Sequence, residues 1–262
     1  MTTTLPDLKA MFDLRGRVAL VTGSSRGLGF EMARGFAAAG ARVIVSSRKA
    51  HDCEAAAEAI RAIGGDARAI TAHVGDMGAV EALVAGIQAQ CGQLDILVNN
   101  AGAALPYGVD EATPELFEKS YAVNTRGPLF LAQKLRPLLA ASPAAQAGGA
   151  AIINILTVGA FFGTSSQIGY SSSKAALWQI TRSLATAFAT DRIRVNAIAP
   201  GPMATRMVTS GGDALMEKSA AGTLQKRVAD PAEIIGPALM LASDAGSFVT
   251  GALLAVDGGW LA

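Results

Sequence analysis

Cysteine and histidine are nearly missing from this chain: its 262 residues hold two of each. Two isolated cysteines, Cys53 and Cys91, frame no disulfide scaffold, and with His51 and His73 they lack the ligand spacing of a structural zinc site, so no metal is expected. Both histidines lie at turns of the first third of the chain, far from any plausible Ser/His/Asp arrangement. Aromatic residues make up 5% and form no alternation with basic ones, which excludes a nucleic-acid surface of the usual kind. Charge is scarce too. Charged residues are 16% of the total and sum to +1, so no polyanionic partner is implied. Residues 137–173 carry no charge at all, long enough in principle to cross a bilayer. Pro143, Gln146, Gly148, Gly149, Asn154, Gly159, Gly163 and the polar run 164–167 interrupt it, whereas a spanning helix needs about 20 mostly apolar residues in succession. No membrane segment is expected. Nor does the N-terminal stretch show a basic region followed by an apolar one, and a reducing cytoplasmic location is the expectation.

What is present is apolar and small. Hydrophobic residues are 51%, with 53 Ala and 29 Gly, which excludes disorder and allows a large core. Short apolar runs alternate with longer amphipathic or Ala-rich segments. Strands are predicted at 18–22, 42–46, 67–71, 94–98, 151–156, 194–199 and 252–256. Helices are predicted at 30–39, 52–63, 79–91, 114–123, 128–139, 169–189 and 231–242. Residues 140–151 read as a surface loop and 201–223 as irregular, with Met203, Met207 and Met216 as flexible side chains. This pattern predicts an α/β fold: a single-domain Rossmann fold over 1–262, with a doubly wound parallel sheet of about seven strands and helices on both faces. Residues 1–14 form an N-terminal extension.

Thr22-Gly23-Ser24-Ser25-Arg26-Gly27-Leu28-Gly29 falls where the first strand passes into the first helix of the alternation. Glycines there permit a tight turn and close backbone approach to a pyrophosphate, which the helix N-terminus attracts. Gly23, Ser25, Arg26, Gly27, Leu28 and Gly29 are therefore candidate cofactor contacts. At the end of the second strand a carboxylate would bind the adenosine ribose and repel a 2′-phosphate. The chain instead reads Ser46-Ser47-Arg48-Lys49, with hydroxyls and cations that suit a phosphate. Ser47 and Arg48, helped by Arg26, point to NADP(H) rather than NAD(H). Farther on, Tyr170-Ser-Ser-Ser-Lys174 sets a phenol and an ammonium four residues apart, on one helix face. The nearby cation is expected to lower the Tyr170 pKa, making it a proton donor and acceptor near neutral pH.

Taken with Asn99-Asn100-Ala101-Gly102, Asn124, Pro200-Gly201 and Val256-Asp257-Gly258-Gly259, these motifs make the chain resemble the short-chain dehydrogenase/reductase family from about Gly16 to Trp260. The resemblance implies Tyr170 as general acid/base and Lys174 as both ribose ligand and depressor of the Tyr170 pKa. It implies Asn124 as holder of a water in a proton relay. Asn100, Ala101 and Gly102 would line the cofactor, and Pro200, Gly201, Met203 and Thr205 would cover the nicotinamide. The family serine thirteen residues before the tyrosine is Thr157 here, which retains a hydroxyl for the substrate oxygen. Where the family often has Asp before Val, this chain has His73-Val74; His73 either takes over the adenine contact or is a surface histidine. Leu105, Phe161, Phe162, Gln167 and Met207, with Thr157, are expected around the substrate, with no arginine to seize a carboxylate. Residues 201–223 form the substrate lid.

The expected activity is interconversion of a carbonyl and a secondary alcohol on a small, fairly apolar substrate. The alternatives are a 3-oxoacyl-carrier-protein reductase, a sugar or polyol dehydrogenase, and a non-catalytic cofactor-sensing protein. The Ala-rich helices resemble the faces through which this family assembles, so a homotetramer or homodimer is expected.

Overall fold

The computed structural model describes residues 5, 7–146 and 149–262. The chain runs α1 (Leu8–Met11), β1 (Val18–Thr22), α2 (Gly27–Ala38), β2 (Arg42–Ser46), α3 (Ala50–Ala62), β3 (Asp66–Ala69), α4 (Met77–Cys91) and β4 (Ile96–Asn99). It continues through α5 (Pro114–Tyr121), α6 (Gly127–Ala140), α7 (Pro143–Gln146), β5 (Ala150–Ile155), α8 (Ile168–Ala187) and β6 (Ile193–Pro200). The last elements are α9 (Arg206–Thr209), α10 (Gly212–Ala221), α11 (Ile235–Ala242) and β7 (Leu253–Val256).

The seven strands form one sheet in the order β3-β2-β1-β4-β5-β6-β7, and every pairing is parallel. Side chains along β1 point alternately to opposite faces, yet all five are buried. Ala19 and Val21 join a core with Met32 and Phe36 of α2, Ile60 of α3 and Leu241 of α11. Val18 and Leu20 join a second core with Leu83 of α4, Leu131 and Leu135 of α6 and Leu184 of α8. Burial on both faces explains why the strands read as continuous apolar runs rather than as alternating ones. From β1 the chain winds outward to β2 and β3, then returns to lay β4 on the other side of β1. The strand order thus reverses between β1 and β4. Open α/β sheets bind ligands in the crevice at such a switch point, at the carboxyl edge of the sheet.

The structure corrects three local expectations. Residues 201–223 are not irregular but carry α9 and α10. The Gly211-Gly212 pair reads as a breaker, yet Gly212, at φ +72°, opens a helix whose other residues, Asp213 and Ser219 apart, are the strong helix formers Ala, Leu, Met, Glu and Lys. Met203 is no flexible lid side chain; it is 2% exposed and belongs to the first core. Within the supposed loop 140–151, α7 forms and β5 begins at Ala150, while residues 147 and 148 lie outside the described residues. Elsewhere Pro231 opens a single 3-10 turn, capped by Asp230 and Glu233, before α11 follows.

Candidate active site

Two residues join the loops at the crevice. Thr22, the last residue of β1, accepts hydrogen bonds on its hydroxyl from the backbone N–H groups of Asn100 (3.0 Å) and Ala101 (3.1 Å). The Asn100 amide in turn donates to the carbonyls of Thr22 (2.9 Å) and Gly23 (3.1 Å). The loops after β1 and β4 are thus stapled at hydrogen-bond distance, which only glycine allows. A Cβ on Gly23, itself at φ +65°, would lie 2.7 Å from the Ala101 Cα. On Gly29 it would lie 2.5 Å from the Gly23 carbonyl oxygen and run into the Asn100 amide.

Helix α2 starts from this staple with no side-chain cap, leaving its first N–H groups free for an anion. Across the crevice the Ser25 hydroxyl donates to the Ser47 hydroxyl at 3.1 Å, and the buried Ser46 hydroxyl has no protein partner. Arg26 and Arg48 are exposed, and their side chains make no hydrogen bond or ion pair among the described residues. Leu28 packs on the first core, and Thr205 lies over the turn, its Cγ2 3.7 Å from where a Gly27 Cβ would stand. Free N–H groups, an unpartnered hydroxyl and uncompensated cations fit a dinucleotide carrying phosphates. At the adenine end Val74 is buried, and the half-buried His73 accepts from the Gly75 N–H on Nδ1 at 3.1 Å. The structure thus gives His73 a turn-closing role that neither expectation for it included.

The reacting groups come from α8, β5 and the α5–α6 junction. Tyr170 and Lys174 share one face of α8. The Lys174 ammonium, 2% exposed, donates to the Ile155 carbonyl at the end of β5 at 2.6 Å. Burial pulls its pKa down to about 8. The Tyr170 pKa is pushed up to about 12 by burial, while the Thr157 hydroxyl, hydrogen-bonded to the phenol, draws it back. This net direction is opposite to the expected one. Desolvation of the phenolate outweighs its stabilisation, and the Lys174 ammonium is committed to Ile155. Thr157, directly after the core residue Leu156, also accepts from the Gly159 N–H at 3.3 Å.

Asn124 sits in a π-helical bulge at residues 122–126, between α5 and α6. Pro128, four residues on, has no N–H to give the Asn124 carbonyl, so that rung of the α-helical ladder is missing. The fully buried Asn124 amide accepts from the Ala103 N–H (2.8 Å) and donates to the Ala103 carbonyl (3.0 Å) and the Ser173 hydroxyl (2.9 Å). A Cβ on Gly102 would lie 3.5 Å from Asn124 Oδ1 and 3.7 Å from Lys174 Nζ, so these groups meet at one point.

Sequence reasoning missed four further residues of the candidate site and its surroundings. Ser173, next to Lys174, ties Asn124 to α8. The Tyr107 ring is buried against Gly169, its hydroxyl unpartnered, which leaves no room for a side chain beside Tyr170. Trp260 stacks on Phe162 at 6.4 Å and rests on Gly222 at the end of α10, joining the C-terminal segment to the candidate pocket. Arg206, exposed and without a side-chain partner among the described residues, stands between Thr205 and Met207, so the segment is not without a guanidinium. Of the expected pocket residues, Phe161 (39%), Phe162 (42%) and Met207 (60%) are exposed and Leu105 is half-buried. Gln167 starts α8 and bridges to Tyr107. Pro200 ends β6, and the Gly201 N–H donates to the Val256 carbonyl at 3.0 Å. Among the described residues no cluster of His, Cys, Asp and Glu could hold a metal ion.

Comparison with known proteins gives the family and the same fold. A family model described as enoyl-(acyl carrier protein) reductase matches residues 23–261. Galactitol 2-dehydrogenase (L-tagatose-forming) of Cereibacter sphaeroides is 37% identical over 258 residues, covering 97% of this chain and 98% of that one. The rhamnolipids biosynthesis 3-oxoacyl-[acyl-carrier-protein] reductase of Pseudomonas aeruginosa is 36% identical over 252 residues, 95% and 98% of the two chains. The solved RhlG/NADP active-site complex of Pseudomonas aeruginosa superposes with a TM-score of 0.90 at 35% identity, over 96% of this chain and 98% of that one. This chain belongs to the short-chain dehydrogenase/reductase family.

Proposed function

We propose that the protein is an NADP(H)-dependent oxidoreductase that interconverts a carbonyl and a secondary alcohol on a small, fairly apolar substrate. The observation that carries this is the convergence of Tyr170, Thr157, Lys174 and Asn124 beside a crevice with an uncompensated cationic end. The whole chain acts as one catalytic domain, with 1–14 as an extension.

When bound, the nicotinamide supplies or accepts the hydride. Tyr170 gives a proton to the carbonyl oxygen in reduction and takes it from the alcohol in oxidation. In the free protein the Thr157 hydroxyl bonds the phenol; with substrate in place it turns its one proton to the same oxygen. Lys174, anchored on Ile155, holds the nicotinamide ribose. Asn124 locks the Gly102–Ala103 backbone to α8 and would hold a relay water. Asn100, Ala101 and Gly102 line the cofactor on one side and Pro200, Gly201 and Thr205 on the other. Residues 201–223, with Met207, close over the substrate and exclude water.

Arg48, Arg26 and Ser47 would hold a 2′-phosphate, with no carboxylate at the end of β2 to repel it. Replacing Arg48 by alanine is expected to raise the KM for NADPH about tenfold and leave that for NADH unchanged, because it removes one charge-assisted contact. A panel of ketones and aldehydes followed by NADPH and NADH absorbance tests the whole assignment. Turnover preferring NADH overturns the phosphate site, and coenzyme binding without turnover of any carbonyl points to a sensor. The Thr157 role has its own check: Thr157→Ser should retain most of kcat while Thr157→Ala loses about 10²-fold, as for loss of a donor to the reacting oxygen. Equal loss in both would refute it.

Arg206 favours a second reading, a 3-oxoacyl-carrier-protein reductase, because an acidic carrier needs a basic residue at the entrance. Arg206→Glu should then raise the KM for a carrier-bound substrate and not for a free ketone.

Among the described residues no helix is long and apolar enough to cross a membrane, and a cytoplasmic location is part of the proposal. So is a homotetramer or homodimer. Phe117 and Phe130, on α5 and α6, and the fully exposed Phe248 are apolar surface that a second copy would cover. A monomer in light scattering at micromolar concentration contradicts that.

A further inference from the structure

Helix α8 touches β5 through polar groups at two places, and only one belongs to the catalytic set. The first is Lys174 on the Ile155 carbonyl. The second is Thr181, seven residues on, hence two turns along and on the same face. Its hydroxyl accepts from the Asn154 amide at 2.9 Å and donates to the Leu177 carbonyl at 2.8 Å. Asn154 in turn accepts from the Asn99 amide at 2.9 Å, across a direct register pair of β5 and β4. Asn99, Asn154 and Thr181 are at most 2% exposed, so no solvent competes for these bonds.

The direction of the chain is fixed. Because the Thr181 proton is spent on Leu177, its oxygen can only accept, which forces Asn154 to turn its NH2 toward the helix and its oxygen toward Asn99. The two ends are functional. Asn154 precedes Ile155, whose carbonyl holds Lys174, and Asn99 precedes Asn100, which staples the glycine turn. The surroundings are apolar: Leu177, Leu156 and Ala197 form a small core of their own beneath α8. Side-chain packing of that kind resists separation of helix and sheet but tolerates a small slide, whereas a directional hydrogen bond does not.

We infer that Asn99, Asn154 and Thr181 form a positioning relay that sets the axial position of α8 on β5. Through it the relay keeps Lys174 and Tyr170 in register with the crevice. All three are buried between helix and sheet and act through Lys174 and Tyr170. The inference rests on the oxidoreductase reading proposed above.

Thr181→Val keeps the shape and removes the acceptor. It is expected to lower kcat about tenfold, the scale of a sub-ångström misplacement of reacting groups. The inhibition constant of 2′,5′-ADP, which probes only the distant adenosine end, should not change. Thr181→Ser restores the hydroxyl and should restore kcat. Melting temperature is followed in parallel; a lowered melting temperature with unchanged kcat makes Thr181 merely structural and overturns the relay. Equal weakening of kcat and of 2′,5′-ADP inhibition also overturns it, as general loosening. Should Thr181→Val not fold, Thr181→Ala is judged by the same readouts. Failure of the underlying reading looks different: the wild-type protein would turn over no carbonyl.

Discussion

Tyr170→Phe is expected to lower kcat by about 10³-fold while leaving NADPH binding intact, the range for loss of a positioned general acid/base. Only the hydroxyl is removed, and the ring remains in its place on α8. The pH dependence follows from the direction of the shift. With a pKa pushed up to about 12, the phenol is protonated at neutral pH and ready to act as an acid. Reduction of a carbonyl should therefore vary little between about pH 6 and 8, whereas oxidation of the alcohol, which needs the phenolate, should rise with pH. Rates in both directions, measured with wild type and Tyr170→Phe, check this; retention of more than a tenth of kcat would remove Tyr170 from its assigned role.

Lys174→Met is expected to cost activity and add stability. On the proposed role Lys174 both holds the ribose and supplies the cation, so kcat/KM should fall by about 10²-fold or more. Stability moves the other way because a buried ammonium is a burden on the fold. Its pKa falls from 10.5 to about 8, so between those values the unfolded chain binds more protons than the folded one. Stability of the coenzyme-free wild type should accordingly rise from pH 8 to 10.5, by at most about 3 kcal/mol from this group. The variant should lack that rise. At pH 7, where the wild type bears the full penalty, the variant should be more stable by about 1–2 kcal/mol after loss of the Ile155 hydrogen bond. Denaturant unfolding across pH 7–10 tests both signs. The Tyr170 contribution runs oppositely, its raised pKa giving stability that is present below pH 10 and lost as pH climbs toward about 12. Comparing wild type with Lys174→Met cancels it. The pattern is one of a functional group kept where it destabilises.

Much of the site was legible because its residues are close in sequence or sit where the alternation changes direction. Tyr170 and Lys174 share a helix face by spacing alone. The glycine turn follows the first strand of the sheet, and the lack of a carboxylate after the second could be read directly. Pro128, four residues after Asn124, was a readable mark of the bulge, though its meaning depends on knowing that one helix continues through it. Trp260 and Tyr107 gave no local sign, since each matters only through a partner, Phe162 or Gly169, more than fifty residues away.

The repeat of apolar runs between helices was enough to determine a parallel sheet buried on both faces, with a glycine turn after its first strand. Those features rest on local hydrophobic periodicity and on turns of a few residues, which a chain carries within itself. Only the tertiary structure decided the protonation balance of the site. Proximity of a lysine suggested a lowered tyrosine pKa, but burial by β5, α8 and the α5–α6 junction pushes the phenol up and the ammonium down. It alone decided, too, that Met203 is core, that 201–223 carries two helices, and that Asn99, Asn154 and Thr181 form one line of hydrogen bonds. Desolvation and directional bonding depend on what surrounds a group from every side. Residues distant in sequence supply most of that surrounding.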